Sequence, residues 1–133
     1  MKSEDLPTDT SAPLKTLVGK NFKQEVIDSG KDVFIKFYAP WCGHCKKMAP
    51  TWEKLAAELV NVPGLVIGNF DATANEAAGV AVSGYPTLKL YVGGKPIDFK
   101  GGNRELEDFK KFLTENSPAY KKYLETAKPN EEL

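Results

Sequence analysis

The chain has 133 residues, of which 41% are hydrophobic and 11% aromatic, and this apolar content is enough for one compact domain with its own core. Eighteen basic and eighteen acidic residues give a formal net charge of zero, which argues against a nucleic-acid-binding surface. No apolar run reaches the roughly 18 residues needed to cross a bilayer, so we expect no membrane insertion. We expect a monomeric domain whose partners are proteins or peptides.

The N-terminal part of the chain predicts a linker followed by a short strand and a helix. Residues 1–13 are rich in proline and small polar side chains, which is typical of a linker rather than of packed structure. A strand is predicted at residues 15–18. Asn21 is then placed to cap a helix that ends at Gly30.

The strongest predicted elements are a strand at residues 33–38 and the helix that follows it. The strand is apolar on both faces apart from Lys36, which is typical of a central parallel strand covered by helices on each side. The helix begins near Cys42 and passes through Pro50, where we expect a kink rather than a break. Its apolar residues fall on one stripe facing the sheet: Met48, Trp52, Leu55, Ala56 and Leu59.

The second half of the chain predicts a further strand, a short helix, a hairpin and a last helix. The strand covers residues 65–70, and an alanine-rich helix is expected at residues 73–79. Residues 87–92 and 95–99 are predicted to pair antiparallel across a Gly-Gly turn. A last amphipathic helix is expected at residues 103–115.

This alternation of strands and helices predicts an α/β domain with a central mixed sheet flanked by helices on both faces. We place the domain at residues 14–117. The linker at residues 1–13 precedes it, and a C-terminal tail at residues 118–133 follows it.

The chain contains only two cysteines, Cys42 and Cys45, in a Cys-Gly-His-Cys motif completed by Gly43 and His44. Residues three apart on a helix share a face, so the two sulfurs can form and break a disulfide with little backbone motion. Cys42 lies where the unpaired N–H groups and the positive end of the helix dipole favour a thiolate, which predicts the attacking sulfur. Cys45 lies one turn further in, which predicts the sulfur that resolves a mixed disulfide at Cys42.

The neighbours of the thiols have functional and simpler interpretations. His44 can donate a hydrogen bond or partial positive charge to the Cys42 thiolate, although a lone histidine is usually a structural or surface residue. Trp41 can grip unfolded chains at the rim of the site, although it is as readily a core aromatic. Half of a zinc site would also show a Cys-x-x-Cys pair, but a closed site needs four ligands and only His44 remains as a soft one. We therefore expect no metal.

Three segments carry a resemblance to a known family: Phe37–Lys46, Ala49–Pro50 and Tyr85–Leu88. They closely resemble a catalytic domain of protein disulfide isomerase, within the thioredoxin superfamily, and the resemblance covers about residues 14 to 116. It implies the thioredoxin fold. Two further segments, Ser3–Pro7 and Asp71–Glu76, are most similar to the second catalytic domain of that enzyme, the one nearest its C-terminus. The resemblance therefore implies a piece excised from a multidomain chain.

The resemblance also implies roles for residues outside the cysteine motif. Pro86 is expected to be a cis-proline packed against the two sulfurs, with the backbone of Tyr85 placed to pair with a bound substrate chain. Arg104 is expected to swing toward Cys45 and lower its pKa. The alternative is that Arg104 is a solvated residue at the start of the last helix.

Lys36 and Asn69 depart from the family pattern, which has a glutamate at the first position and a lysine at the second. In the family this buried pair is thought to handle the proton of the inner cysteine, and here the acid is missing. Lys36 either snorkels to solvent or places a cation under the thiols and lowers their pKa.

The expected function is that of a thiol–disulfide oxidoreductase and isomerase that forms, reduces and rearranges disulfides in folding proteins. The Cys42–Cys45 pair is the expected redox group, without a bound cofactor. The expected partners are unfolded or misfolded polypeptides bearing cysteine, with glutathione or an upstream thiol oxidase to recharge the pair. Two alternatives stay open: a thioredoxin-like reductase, and a module that mainly binds unfolded chains through Trp41 and Tyr85.

The chain ends in Asn130–Leu133, which is similar to the Lys-Asp-Glu-Leu retrieval signal in its last two residues. This similarity favours the lumen of the endoplasmic reticulum. An ordinary solvated chain end is the alternative.

Overall fold

The computed structural model describes residues 1–127. The predicted retrieval signal at Asn130–Leu133 lies outside the described residues. The helices and strands are β1 Lys15–Leu17, α1 Gly19–Phe22 with a π-helical continuation at Lys23–Ile27, β2 Asp32–Tyr38, α2 Gly43–Leu59, β3 Leu65–Asp71, β4 Thr87–Val92, β5 Lys95–Asp98, α3 Leu106–Asn116 and α4 Pro118–Thr126. Within residues 1–127, every helix is too short or too polar to cross a bilayer.

The five strands form one mixed sheet in the order β1-β3-β2-β4-β5. Strand β2 pairs parallel with β3 and antiparallel with β4, and β1 extends the parallel side of the sheet. Residues 32–37 of β2 are all buried, as the apolar sequence of this segment predicted. The mixed α/β sheet with β2 near its middle is therefore confirmed.

Helices cover both faces of the sheet. On one face, α2, α3 and α4 pack over Phe34, whose ring meets Trp52 edge-on with the centroids 4.8 Å apart. On the other face, α1 and its π-helical continuation pack over Phe37 and Phe70 through Phe22. Aromatic pairs at these separations add to the stabilisation that burial already gives. The two cores fix β2 between them.

Helix α2 matches the predicted apolar stripe. Its buried residues are Cys45, Met48, Trp52, Leu55, Ala56 and Leu59. The indole Nε1 of Trp52 donates a hydrogen bond of 3.0 Å to the carbonyl oxygen of Gly68 in β3, so the polar edge of this buried ring is satisfied. The helix runs through Pro50 without a break. Its N-terminus is thereby held firmly against the sheet.

Two predicted helices differ from the structure. The first begins at Gly19, two residues before Asn21, and the Asn21 side chain accepts a 2.8 Å hydrogen bond from the backbone N–H of Val18. The second, expected at residues 73–79, is absent. There the Asp71 carboxylate accepts from both the N–H and the hydroxyl of Thr73, at 2.9 and 2.6 Å. Such side-chain bonds compete with helix formation, and they outweigh the alanine content of this segment.

Both terminal segments pack more than the sequence predicted. At the expected linker, the backbone N–H of Glu4 donates to Asn75 Oδ1 at 2.8 Å, and the Asn75 amide donates back to the Glu4 carboxylate at 2.8 Å. At the expected tail, residues 118–126 form α4, in which Tyr120 is buried. Ser117 caps this helix by accepting from the Tyr120 N–H at 3.0 Å. Residues 118–126 of the predicted tail therefore form a packed helix, and the predicted linker, most of which is exposed, contacts the domain through Glu4.

Candidate active site

The Cys42 sulfur caps the N-terminus of α2. The sulfur accepts a 3.4 Å hydrogen bond from the backbone N–H of Cys45, and the helix begins at Gly43, the next residue. The backbone N–H of Cys42 itself donates to the carbonyl of Ala39 at 3.1 Å, which turns the chain between β2 and α2. The predicted placement of the first thiol at a helix start is confirmed.

The pKa of Cys42 lies below that of an ordinary thiol. The largest cause is a hydrogen bond from the Cys45 side chain, and the backbone N–H groups of Cys45 and His44 and the positive charge of Arg104 act in the same direction. Partial burial opposes them, but the donors prevail because each stabilises the thiolate directly. Cys42 is therefore the thiol that ionises first.

The pKa of Cys45 is raised instead. Its residue is only 3% exposed, and burial is the main cause, reinforced by the hydrogen bond to Cys42 and by the charge of that sulfur. A backbone hydrogen bond from Ala39 and the charge of Lys36 act in the opposite direction. The two sulfurs are unequal in the direction that the sequence predicted. Cys42 is 8% exposed and accepts hydrogen bonds at the start of α2, whereas Cys45 is 3% exposed and lies one turn further in.

His44 and Gly43 are exposed residues in the first turn of α2. The His44 side chain is exposed, and its residue acts on Cys42 through the backbone N–H rather than through the ring. A Cβ added at Gly43 would meet no atom within 4 Å, so glycine is not needed there to make room. The predicted roles of the His44 imidazole and of Gly43 stay predictions.

Tyr85 faces the thiols from the loop before β4, and Pro86 follows it; the predicted packing of Pro86 against the two sulfurs stays a prediction. The Tyr85–Pro86 peptide bond is cis, as the resemblance implied. The Cys42 thiol donates to the carbonyl oxygen of Tyr85 at 3.6 Å, and Tyr85 packs against the cluster formed by Ala39, Cys42 and Cys45. The backbone of Tyr85 is thus held within reach of any group joined to Cys42.

Trp41 is a surface residue. It is 69% exposed, which excludes the alternative of a core aromatic. Its ring meets the Tyr85 ring edge-on, with the centroids 5.6 Å apart. The two rings form an aromatic rim beside the Cys42 sulfur, where an apolar side chain of a partner can be covered.

Arg104 lies in the exposed segment before α3. It shares a cavity of about 290 Å³ with Pro86 and Lys100. Its positive charge lowers the pKa of Cys42, whereas the resemblance implied an effect on Cys45. That effect on the second cysteine stays a prediction, because it requires the side chain to swing inward.

Lys36 is buried under the thiols. It is 4% exposed, which excludes the alternative that it snorkels to solvent. Burial lowers the pKa of Lys36, and the charges of Cys45 and Glu53 oppose this shift. No sequence pattern pointed to Glu53, which is one of several charged residues on α2. Only the packing of α2 on β2 brings the two together.

No metal centre is found in the part of the chain that the structure describes: residues 1–127 contain no group of three or more histidine, cysteine or acidic side chains placed to hold an ion.

A reactive thiol at a helix start, a buried second thiol and a cis-proline in the loop opposite them, all on a mixed α/β sheet, define the dithiol domains of the thioredoxin fold. A family model described as thioredoxin matches residues 13–115, and the chain belongs to this family. Within the family it groups with the thioredoxin domains of protein disulfide isomerases.

The relatives support this grouping. Protein disulfide-isomerase 1 of Caenorhabditis elegans is 43% identical over 136 residues, which span all of this chain and 28% of the relative. Protein disulfide-isomerase A2 of Mus musculus is 52% identical over 115 residues, which span 84% of this chain and 22% of the relative. The chain thus spans about a quarter of the length of these relatives.

A solved structure shows the same fold. The first thioredoxin domain of mouse Protein disulfide-isomerase A4 superposes with a TM-score of 0.66 and 33% sequence identity, covering 96% of this chain and 84% of that structure. The predicted thioredoxin fold is confirmed.

Proposed function

We propose that this domain is a thiol–disulfide oxidoreductase and isomerase that forms, reduces and rearranges disulfides in folding proteins. The observation that carries the proposal is the inequality of the two thiols, with the pKa of Cys42 lowered at the start of α2 and that of Cys45 raised by burial. A pair of this kind takes and returns electrons in a fixed order.

Oxidation of a substrate proceeds in two exchanges. A substrate thiolate attacks Cys42 of the closed pair, the sulfur–sulfur bond breaks, and its electrons leave on Cys45. A second substrate thiolate then attacks the substrate sulfur of the mixed disulfide and expels the Cys42 thiolate. The substrate loses two electrons and the pair gains them. Rearrangement begins instead with attack of the Cys42 thiolate on a substrate disulfide.

The proposed substrates are unfolded or misfolded polypeptides that bear cysteine. Trp41 and Tyr85 offer them an aromatic rim next to the reactive sulfur, and the Tyr85 carbonyl, 3.6 Å from that sulfur, offers a backbone acceptor. Backbone and apolar contacts of this kind recognise many sequences, which suits substrates without a common motif.

We further propose that the domain works in the endoplasmic reticulum as part of a longer chain, at the second catalytic position. The two segments whose sequence favours that position contact each other through Glu4 and Asn75. Glutathione or an upstream thiol oxidase is the proposed oxidant that recharges the pair.

The assignment of roles is tested by trapping. Cys45→Ala should accumulate covalent complexes with an unfolded protein that carries non-native disulfides. The Cys42 thiolate attacks a substrate disulfide and expels one substrate thiolate, and no second cysteine of the domain then resolves the mixed disulfide. Cys42→Ala should accumulate none. Equal trapping by both variants would contradict the assignment.

Equilibration with a glutathione redox buffer tests the direction of electron flow. A closed pair that forms only under oxidising ratios identifies an oxidant of substrates, whereas a pair that stays closed under reducing ratios identifies the thioredoxin-like reductase. The exposed Trp41 also supports a binding module as a second candidate. A variant lacking both cysteines that fully suppressed aggregation would favour it.

A further inference from the structure

We infer that Lys36 is a positioning residue for the second thiol: its buried ammonium is the counter-charge of the Cys45 thiolate that forms each time the pair opens or closes. This inference rests on the proposed function. It adds to the dithiol site a residue that lies outside the cysteine motif.

The placement of Lys36 brings its charge under α2. The residue lies on the central strand β2, on the same face as Phe34, which packs against Trp52 of α2. Cys45 is in the first turn of that helix and is 3% exposed, and Lys36 is 4% exposed. The charges of the two groups act on each other, since each shifts the pKa of the other toward its ionised form.

The surroundings of Lys36 offer little other compensation for a cation. Among residues 1–127, no carboxylate lies within ion-pair distance of its ammonium. Glu53 of α2 contributes a negative charge, and Tyr38 of the same strand presents its ring 5.3 Å from Nζ. At the paired strand positions are Leu88 of β4 and Asn69 of β3.

The Oδ1 atom of Asn69 is buried and has no hydrogen-bond partner among the described residues. Because residues paired on parallel strands project to the same face, this free acceptor lies beside Lys36. A buried cation without an ion pair is costly to keep, and such groups concentrate at functional sites. The Cys45 sulfur supplies a negative partner for the Lys36 ammonium whenever the thiol pair opens or closes and Cys45 is a thiolate.

The chemistry requires such a partner. When a substrate thiolate attacks Cys42 of the closed pair, the broken bond leaves its electron pair on Cys45, which emerges as a buried anion and later takes a proton from water. In the reverse direction, the Cys45 thiol loses its proton to water, and the resulting thiolate attacks Cys42 of the mixed disulfide and expels the substrate thiolate. Both steps pass through the same anion, so a cation beside it accelerates both.

The test is a charge series at position 36. In a Cys42→Ala background, the pKa of Cys45 is measured from thiolate absorbance for Lys36, Lys36→Met and Lys36→Glu. Loss of the cation should raise the Cys45 pKa, and reversal of its charge should raise it further. Lys46→Met is the matched control, because it removes an exposed cation next to Cys45 and should leave the pKa unchanged.

A kinetic readout follows from the same series with both cysteines present. A rise of one unit in the Cys45 pKa lowers its thiolate fraction about tenfold. The more basic thiolate is also more nucleophilic, which offsets part of this loss of rate. Resolution of a Cys42–glutathione disulfide should therefore slow about threefold. Alkylation of Cys42 should keep its rate in all variants, which separates this inference from the proposed function.

Three results overturn the inference. The Cys45 pKa could be the same in all three proteins. Lys36→Glu could restore a resolution rate that Lys36→Met had lost, which would identify a proton carrier rather than a counter-charge. Lys46→Met could shift the pKa as much as Lys36→Met. Ordinary, equal reactivity of both thiols in the unsubstituted protein would instead refute the proposed function itself.

Lys36→Gln supplies a second neutral variant should Lys36→Met fold poorly.

Discussion

The clearest test of the packing concerns Asp32, the buried residue that joins β2 to the C-terminal helices. Its carboxylate accepts from the Ser117 hydroxyl at 2.7 Å and from the Ala119 N–H at 3.0 Å. Asp32 is 7% and Ser117 0% exposed, so a substitution to alanine leaves two donors without their acceptor. We predict that Asp32→Ala detaches α4 from the domain and destabilises the fold.

The size of the effect follows from these two bonds. A hydrogen bond to a charged group contributes about 1.5–3 kcal/mol, and two of them give about 3–6 kcal/mol. Relaxation at the α4 terminus and entry of water lower this, so we expect a loss of about 3 kcal/mol in the free energy of unfolding. Asp32→Asn keeps one acceptor oxygen and should lose about half as much.

The assay is equilibrium unfolding in urea, followed by fluorescence of the buried Trp52. Asp98→Ala is the control, because its carboxylate is 51% exposed and pairs with Lys89 across the hairpin, and such surface pairs contribute about 0–1 kcal/mol. A loss below about 1 kcal/mol for Asp32→Ala, with an unchanged slope, would refute the reasoning. The alkylation rate of Cys42 should not change.

Three further predictions concern the site. Alkylation of Cys42 should persist as pH falls below the ordinary thiol pKa of about 8.5, because the lowered pKa of Cys42 keeps its thiolate populated. A midpoint of the alkylation rate against pH at or above that value would contradict the hydrogen-bond geometry. Arg104→Ala should raise that midpoint, and added salt should mimic it in the parent protein; a salt-independent midpoint would argue against a role for the charge. Trp41→Ala should weaken binding of a cysteine-free unfolded peptide by about 0.5–1.5 kcal/mol, measured by fluorescence anisotropy, without altering Cys42 alkylation.

A last prediction in this group concerns stability. Lys36→Met should raise the midpoint of thermal unfolding, because the buried cation lacks an ion pair. The gain should be present at neutral pH and should shrink as pH rises through the lowered pKa of Lys36 in the folded state, since the lysine itself then becomes neutral. A pH-independent gain would indicate improved packing instead.

Local sequence patterns determined most of the framework. The continuous apolar run of β2 predicted a central strand, because a strand buried on both faces has apolar residues at nearly every position. The apolar residues of α2 recur with the period of a helix, which predicted a helix with one buried face. Gly93 and Gly94 predicted the β4–β5 turn because glycine readily adopts the positive φ angles that such a turn requires. In the structure their φ angles are 60° and 77°. The place of Cys42 at a helix start followed from the same local reasoning.

Contacts between distant segments were decided only by the tertiary structure. The segments 1–13 and 118–126 looked unpacked, yet Glu4 binds Asn75 and Ala119 donates to Asp32, across 71 and 87 residues. The solvation of Lys36 was left open by the sequence, because its burial depends on α2 closing over β2. Hydrophobic periodicity reports which face of an element is buried, but a hydrogen bond or a buried charge depends on what the fold places opposite it.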